Sequence, residues 1–104
     1  MDRQLIYITA SSGDEARTIA RALVGERLAA CANILGEIGS IYWWDDELQE
    51  DAEVALIVKS TADLVPRIVE RVKALHSYDC PCVVALPIGA GNEAFLEWIG
   101  NETA

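Results

Sequence analysis

Basic residues are scarce in this chain of 104. Eight Lys and Arg stand against seventeen Asp and Glu, for a formal net charge of −9. Nucleic-acid binding needs a cationic footprint, so a phosphate backbone is not an expected partner. An anionic membrane surface is excluded on the same ground. No apolar run approaches membrane-spanning length. The first residues, Met1-Asp2-Arg3-Gln4, lead straight into a strand pattern without the apolar core of a signal peptide. Cysteine occurs three times, an odd number that cannot all pair. Free thiols in a reducing cytoplasm are the simplest expectation. Repeats, low-complexity tracts and linkers are missing, and the length suits one domain spanning 1–104.

Histidine is nearly absent: His76 is the only one. It has no Ser or Cys beside it in a nucleophile setting and no orienting acid, so no catalytic constellation assembles and the chain is not expected to be an enzyme. Gly89-Ala90-Gly91 imitates part of a phosphate loop but lacks the third glycine and the lysine, and it reads as a turn.

What the chain does have is apolar residues, 52% of its length. They are ordered by period. Leu5 to Thr9 alternates as a short strand. Ser12 followed by Glu15 has capping-box spacing, and Ala16, Ile19, Ala20, Leu23 and Val24 then mark one helical stripe. Leu28 to Leu35 reads as a strand of small residues, with Cys31 as a buried hydrophobe. Gly36 and Gly39 signal a bend or bulge. Ser60 to Asp63 offers N-caps, and Pro66 places the next helix start near Asp63. Its stripe is Leu64, Val65, Ile68, Val72 and Leu75. Cys82 to Leu86 is a continuous apolar run, as in a strand buried on both faces. Asn92 caps a last helix whose Phe95, Leu96, Trp98 and Ile99 are expected to pack inward.

The long hairpin Ile38 to Lys59 organises the rest. Val54, Leu56 and Val58 share one face, and Glu53, Ala55, Ile57 and Lys59 the other. The second face mixes charge with apolar groups. Trp43 and Trp44 point to opposite faces beside the turn. A partner that buries this surface is one reading, and a twisted hairpin with exposed aromatics is the other. The order strand, helix, strand, strand, helix, strand, with a C-terminal helix, predicts an α+β, ferredoxin-like split βαβ sandwich with both main helices on one sheet face.

Metal ligands are few. Cys80-Pro81-Cys82 is not a CxxC, but with His76 it makes a soft set suited to Cu(I) or Zn(II). The alternative is a loop cysteine followed by a strand cysteine. Asp45, Asp46, Glu47, Glu50, Asp51 and Glu53 crowd the hairpin turn and read mostly as a solvated tip.

The chain resembles the CutA family, the divalent-cation tolerance proteins, over nearly its whole length. The resemblance is carried by Leu28-Ala29-Ala30-Cys31-Ala32-Asn33-Ile34, Ser40-Ile41-Tyr42-Trp43-Trp44, Glu53 with Lys59-Ser60, His76-Ser77-Tyr78-Asp79-Cys80-Pro81, and Phe95-Leu96-Glu97-Trp98-Ile99. It implies an interlocked homotrimer in which the hairpin pairs with neighbouring sheets. It also implies a role in tolerance to copper and other divalent metals, with copper or zinc as candidate ligands. The family's metal-linked cysteine falls on Ile8, a histidine used by some members on Leu75, and a glutamate on Cys82. An inherited copper site is therefore not expected unless His76, Cys80 and Cys82 replace it. By analogy with other ferredoxin-like trimers such as PII signalling proteins, the alternative is a trimeric regulator that binds a small molecule between subunits. Trp44, Glu53, Lys59 and Tyr78 would line that cleft.

Overall fold

The computed structural model describes residues 2–103. Strand β1 (Arg3–Ala10) leads through Ser11 and Ser12 into helix α1 (Gly13–Gly25). Ser12 Oγ accepts the Glu15 N–H at 3.1 Å, and the Glu15 carboxylate reaches back to the Ser11 N–H at 3.0 Å. This is the predicted cap, with its return bond one residue earlier than the standard box. Strands β2 (Cys31–Trp44) and β3 (Glu47–Thr61) form the long hairpin. A 3₁₀ turn (Ala62–Leu64) then feeds helix α2 (Val65–Leu75), which carries Pro66 in its first turn, where a missing N–H costs nothing. Strand β4 (Val83–Pro87) and helix α3 (Glu93–Asn101) close the chain.

The four strands form one antiparallel sheet in the order β2-β3-β1-β4. Ile6 and Ile8 on β1 lie opposite Val58 and Leu56 on β3, and all four are fully buried against Ala16, Ile19 and Leu23 of α1 and Ile68 and Val72 of α2. This is the predicted core face. Helix α3 packs on the other face. Its Ile99 is buried, the Arg3 side chain donates to the Leu96 carbonyl, and the Lys59 ammonium sits over the Phe95 ring at 5.7 Å. Ala55, on that second face, is buried as well.

Three expectations are corrected. Strand β4 is the edge of the sheet and is not buried on both faces: Val84 and Leu86 are 51% and 55% exposed. Phe95 and Trp98 do not pack inward; they lie ring to ring at 5.4 Å on an exposed flank. Cys31 is half-buried on the second face, with the Lys59 ammonium 3.9 Å from its sulfur.

The hairpin leaves the body. The long axis of the molecule is 45 Å against 25 and 22 Å for the others. At Leu35 an extra residue breaks the β2–β3 register, and Gly36 takes φ +109°, a conformation that side chains rarely adopt. Beyond the Glu37–Val54 pair the two arms pair only with each other, and Ile41, Trp43, Trp44 and Leu48 stand in solvent, Trp43 at 73% exposure. The turn is Asp45-Asp46, both at positive φ (52° and 61°). A two-residue turn of this kind favours Asn-Gly or Asp-Gly, so Asp46 bears backbone strain that glycine would not. Asp46→Gly is therefore expected to stabilise the protein by about 0.5–1 kcal/mol, measured by urea denaturation at fixed concentration; a loss of stability would show that the turn is not strained.

Candidate functional site

Below the hairpin tip the second sheet face curves over the loop that follows α2. Between them lies a shallow cavity of about 510 Å³, lined by Tyr7 and Thr9 of β1, residues 38–42 of β2, Glu53 of β3, and Tyr78, Cys80 and Cys82. Register explains the convergence. Ile38 pairs with Glu53, Tyr42 pairs with Gln49, and Thr9 pairs with Ala55, so alternation puts Ile38, Tyr42, Glu53 and Thr9 on one face.

The cavity is electronegative. Tyr42 donates to Asp51 Oδ2 at 2.8 Å, and with that bond as the main cause its phenol is pushed up to about 12. Burial first, then the charge and hydrogen bond of Glu53, push the Tyr78 phenol up as well. Partial burial raises the Cys82 thiol; a hydrogen bond with Thr9 offsets some of this, and Glu53 adds to it. Cys82 is therefore a thiol rather than a thiolate at neutral pH, and it must lose a proton before it can ligate a metal.

His76 stands behind the cavity wall. Its side chain is 0% exposed. Nε2 lies 2.7 Å from the Thr9 carbonyl, which can only accept, so Nε2 carries the proton. Nδ1 then accepts the Tyr78 N–H at 3.0 Å. Both ring nitrogens are spent on backbone. The set His76, Cys80 and Cys82 is thus not assembled as a metal site: the thiols face the cavity, and the imidazole pins the loop to β1. Among the described residues no three His, Cys, Asp or Glu side chains are grouped to hold a metal ion. Cys80 lies in the loop, Cys82 lies just before β4 rather than in the strand, and both are exposed.

Glu15 extends the same pin. Burial pushes its carboxyl up, but N–H and O–H donors from Ser11 and Ser77 hold it below its ordinary value of 4.5. A carboxyl lowered in this way binds fewer protons folded than unfolded. Its contribution is therefore full above pH 4.5 and is lost as pH falls through the lowered value. Glu15→Gln should cost about 1–2 kcal/mol at pH 7, and the gap from the native protein should narrow on acidification below 4.5. A gap that stays constant in urea titrations at pH 7 and pH 3 would contradict this.

The four residues were predicted to line a cleft between subunits; within one chain, Glu53 and Tyr78 meet in the cavity, and Trp44 and Lys59 lie outside it. Trp44 stands at the hairpin tip opposite Glu47. Lys59 lies further down β3, where it donates to Asn33 Oδ1 at 2.7 Å. The sequence reading missed Tyr7, Thr9 and Tyr42. The period-2 alternation of β2 with a two-residue turn would have placed Tyr42 on the same face as Glu53.

A family model, CutA1 divalent ion tolerance protein, matches residues 4–102. The chain belongs to this family. The divalent-cation tolerance protein CutA of Thermus thermophilus is 51% identical over 100 residues, covering 96% of this chain and 97% of that one. The solved structure of a T. thermophilus divalent cation tolerance protein, Cut A1, superposes with a TM-score of 0.96 at 50% identity, over 98% of this chain and 99% of that chain. The rice protein CutA 1, named chloroplastic, is 43% identical over 95% of this chain but only 56% of its own length. The chain therefore spans nearly all of the Thermus protein and little more than half of the rice one. The structure of an Archaeoglobus fulgidus CutA, named a periplasmic divalent cation tolerance protein, has a TM-score of 0.93 at 42% identity, over 96% of this chain and 97% of its own.

Proposed function

We propose that this CutA1-family chain acts in divalent-cation tolerance, copper included, as a homotrimer whose hairpins dock on neighbouring sheets. The observation that carries the assembly is the hairpin itself: fourteen- and fifteen-residue arms whose outer part pairs with nothing but itself and presents Ile41, Trp43, Trp44 and Leu48 to water. A two-stranded ribbon is marginally stable alone, and an apolar surface of this kind marks an interface. Exposed Val84 and Leu86 on edge strand β4 offer a second surface to be covered. With three free thiols the chain suits a reducing compartment, and the cytoplasm is its proposed location.

The proposed role does not run through a resident metal within one chain, because both ring nitrogens of His76 are committed to Thr9 and Tyr78. Calorimetric titration of reduced protein with Cu(II) and Zn(II) is expected to give no tight site, and Cys80→Ser/Cys82→Ser is expected to leave the isotherms unchanged. Tight binding that disappears in the double variant would overturn this and restore the soft-ligand site.

The cavity favours a second reading, a non-enzymatic regulator that binds a small molecule. Glu53 and Tyr78 come from segments twenty-five residues apart, yet they meet over a volume fit for a small ligand.

A further inference from the structure

We propose that the cavity bounded by Tyr7, Tyr42, Glu53 and Tyr78 binds a small organic ammonium ion carrying an apolar body. This rests on the regulator reading and names the chemical class of its ligand.

Charge comes first. Glu53 is half-buried in the wall, and the lining contains no Lys, Arg or His. The ion pairs Arg27–Glu102, Arg71–Glu26 and Lys73–Glu70 all lie elsewhere, and none of them engages Glu53. A half-buried carboxylate without a countercharge attracts a cation. Another cavity shows the contrast. It holds about 490 Å³ between the end of α1 and α2, and its Glu26 is already clasped by Arg71 through bonds of 2.9 to 3.0 Å.

Hydrogen bonding selects the kind of cation. Tyr42 spends its proton on Asp51, so its phenol oxygen keeps lone pairs to offer, and the Tyr78 ring stands beside Glu53 in the same lining. The site is thus rich in acceptors, which suits the three N–H groups of an ammonium and repels carboxylates and phosphates. A hard divalent ion is a poorer fit. It needs six or so oxygen ligands with more than one charge, and Glu53 is the only carboxylate in the lining. The remaining wall is apolar. Ile38 and the tyrosine rings provide a surface for an aliphatic or aromatic body.

The test compares three probes of one shape, phenethylammonium, 2-phenylethanol and phenylacetate, by calorimetry on the assembled protein in amine-free, low-salt buffer. The expected order is phenethylammonium tightest, the neutral alcohol about tenfold or more weaker, and the acid weakest. Glu53→Gln should erase the preference for the ammonium over the alcohol, and Glu70→Gln, on the exposed face of α2, should keep it. Tyr78→Phe, which preserves the ring and removes one acceptor oxygen, should weaken the ammonium severalfold; it supplies the test if Glu53→Gln fails to fold. Equal binding of ammonium and alcohol would overturn the proposal, as would a preference that survives Glu53→Gln, or no binding of the ammonium at all. Molar mass measured on the same samples separates this failure from a failure of assembly. A trimer that ignores phenethylammonium refutes only the ligand class.

Discussion

His76→Ala is expected to destabilise the protein by about 2–4 kcal/mol, well beyond an ordinary surface change. The imidazole is fully enclosed and makes two backbone hydrogen bonds to segments sixty-seven and two residues away, Thr9 and Tyr78. Alanine leaves the Thr9 carbonyl and the Tyr78 N–H without partners and opens a void where the ring stood. It also frees the loop that holds Tyr78, Cys80 and Cys82 against the cavity. The check is urea denaturation at fixed concentration, read together with the rate at which Cys80 and Cys82 react with a thiol reagent. A loss below about 1 kcal/mol would mean that the ring is a spectator. If the imidazole were instead poised as a metal ligand, its removal would change metal affinity more than stability.

The second large effect concerns the hairpin. Trp43 and Leu48 are cross-strand partners near the tip, both largely exposed in the single chain. If neighbouring subunits cover them, Trp43→Asp/Leu48→Asp places two charges per chain in an apolar interface. Large aromatic anchors at interfaces are worth about 2–4 kcal/mol each, so dissociation should strengthen by at least about a hundredfold. The single-chain core lies far from these positions and is expected to keep its far-ultraviolet circular dichroism. Asp45→Asn, two residues beyond Trp43 at the turn, is the matched control and should leave the mass unchanged. An intact assembly of the double Asp variant would mean that the hairpin tip is free in solution.

What sequence alone can show differs by element. The first helix was fully legible, because Ser12, Glu15 and the stripe from Ala16 to Leu23 encode cap and buried face locally. The two faces of β3 were legible for the same reason, since alternation assigns Leu56 and Val58 to one and Glu53 and Lys59 to the other; the turn was not, because Glu47 to Asp51 pair as strand instead of forming the tip. Alternation gives the face but not the height along the strand. Glu53 and Lys59 are six residues apart, about 20 Å at strand rise, so one lines the cavity and the other reaches Asn33 and Phe95. An apolar run such as Val83 to Leu86 reads the same whether its own chain or another covers it. Its position at a sheet edge became visible only from the strand order. His76 was the hardest residue to read. A lone histidine near two cysteines looks like a ligand until its ring is seen bonded to a strand sixty-seven residues away.

Assembly is the central claim, since it is what gives the protruding hairpin and the β4 edge their covering surfaces. Light scattering coupled to size exclusion, at micromolar and at sub-micromolar concentration, tests it most directly. A trimer has three times the chain mass of 11.3 kDa, about 34 kDa, and this value is expected at both concentrations. A folded species of 11.3 kDa at both concentrations would contradict the account.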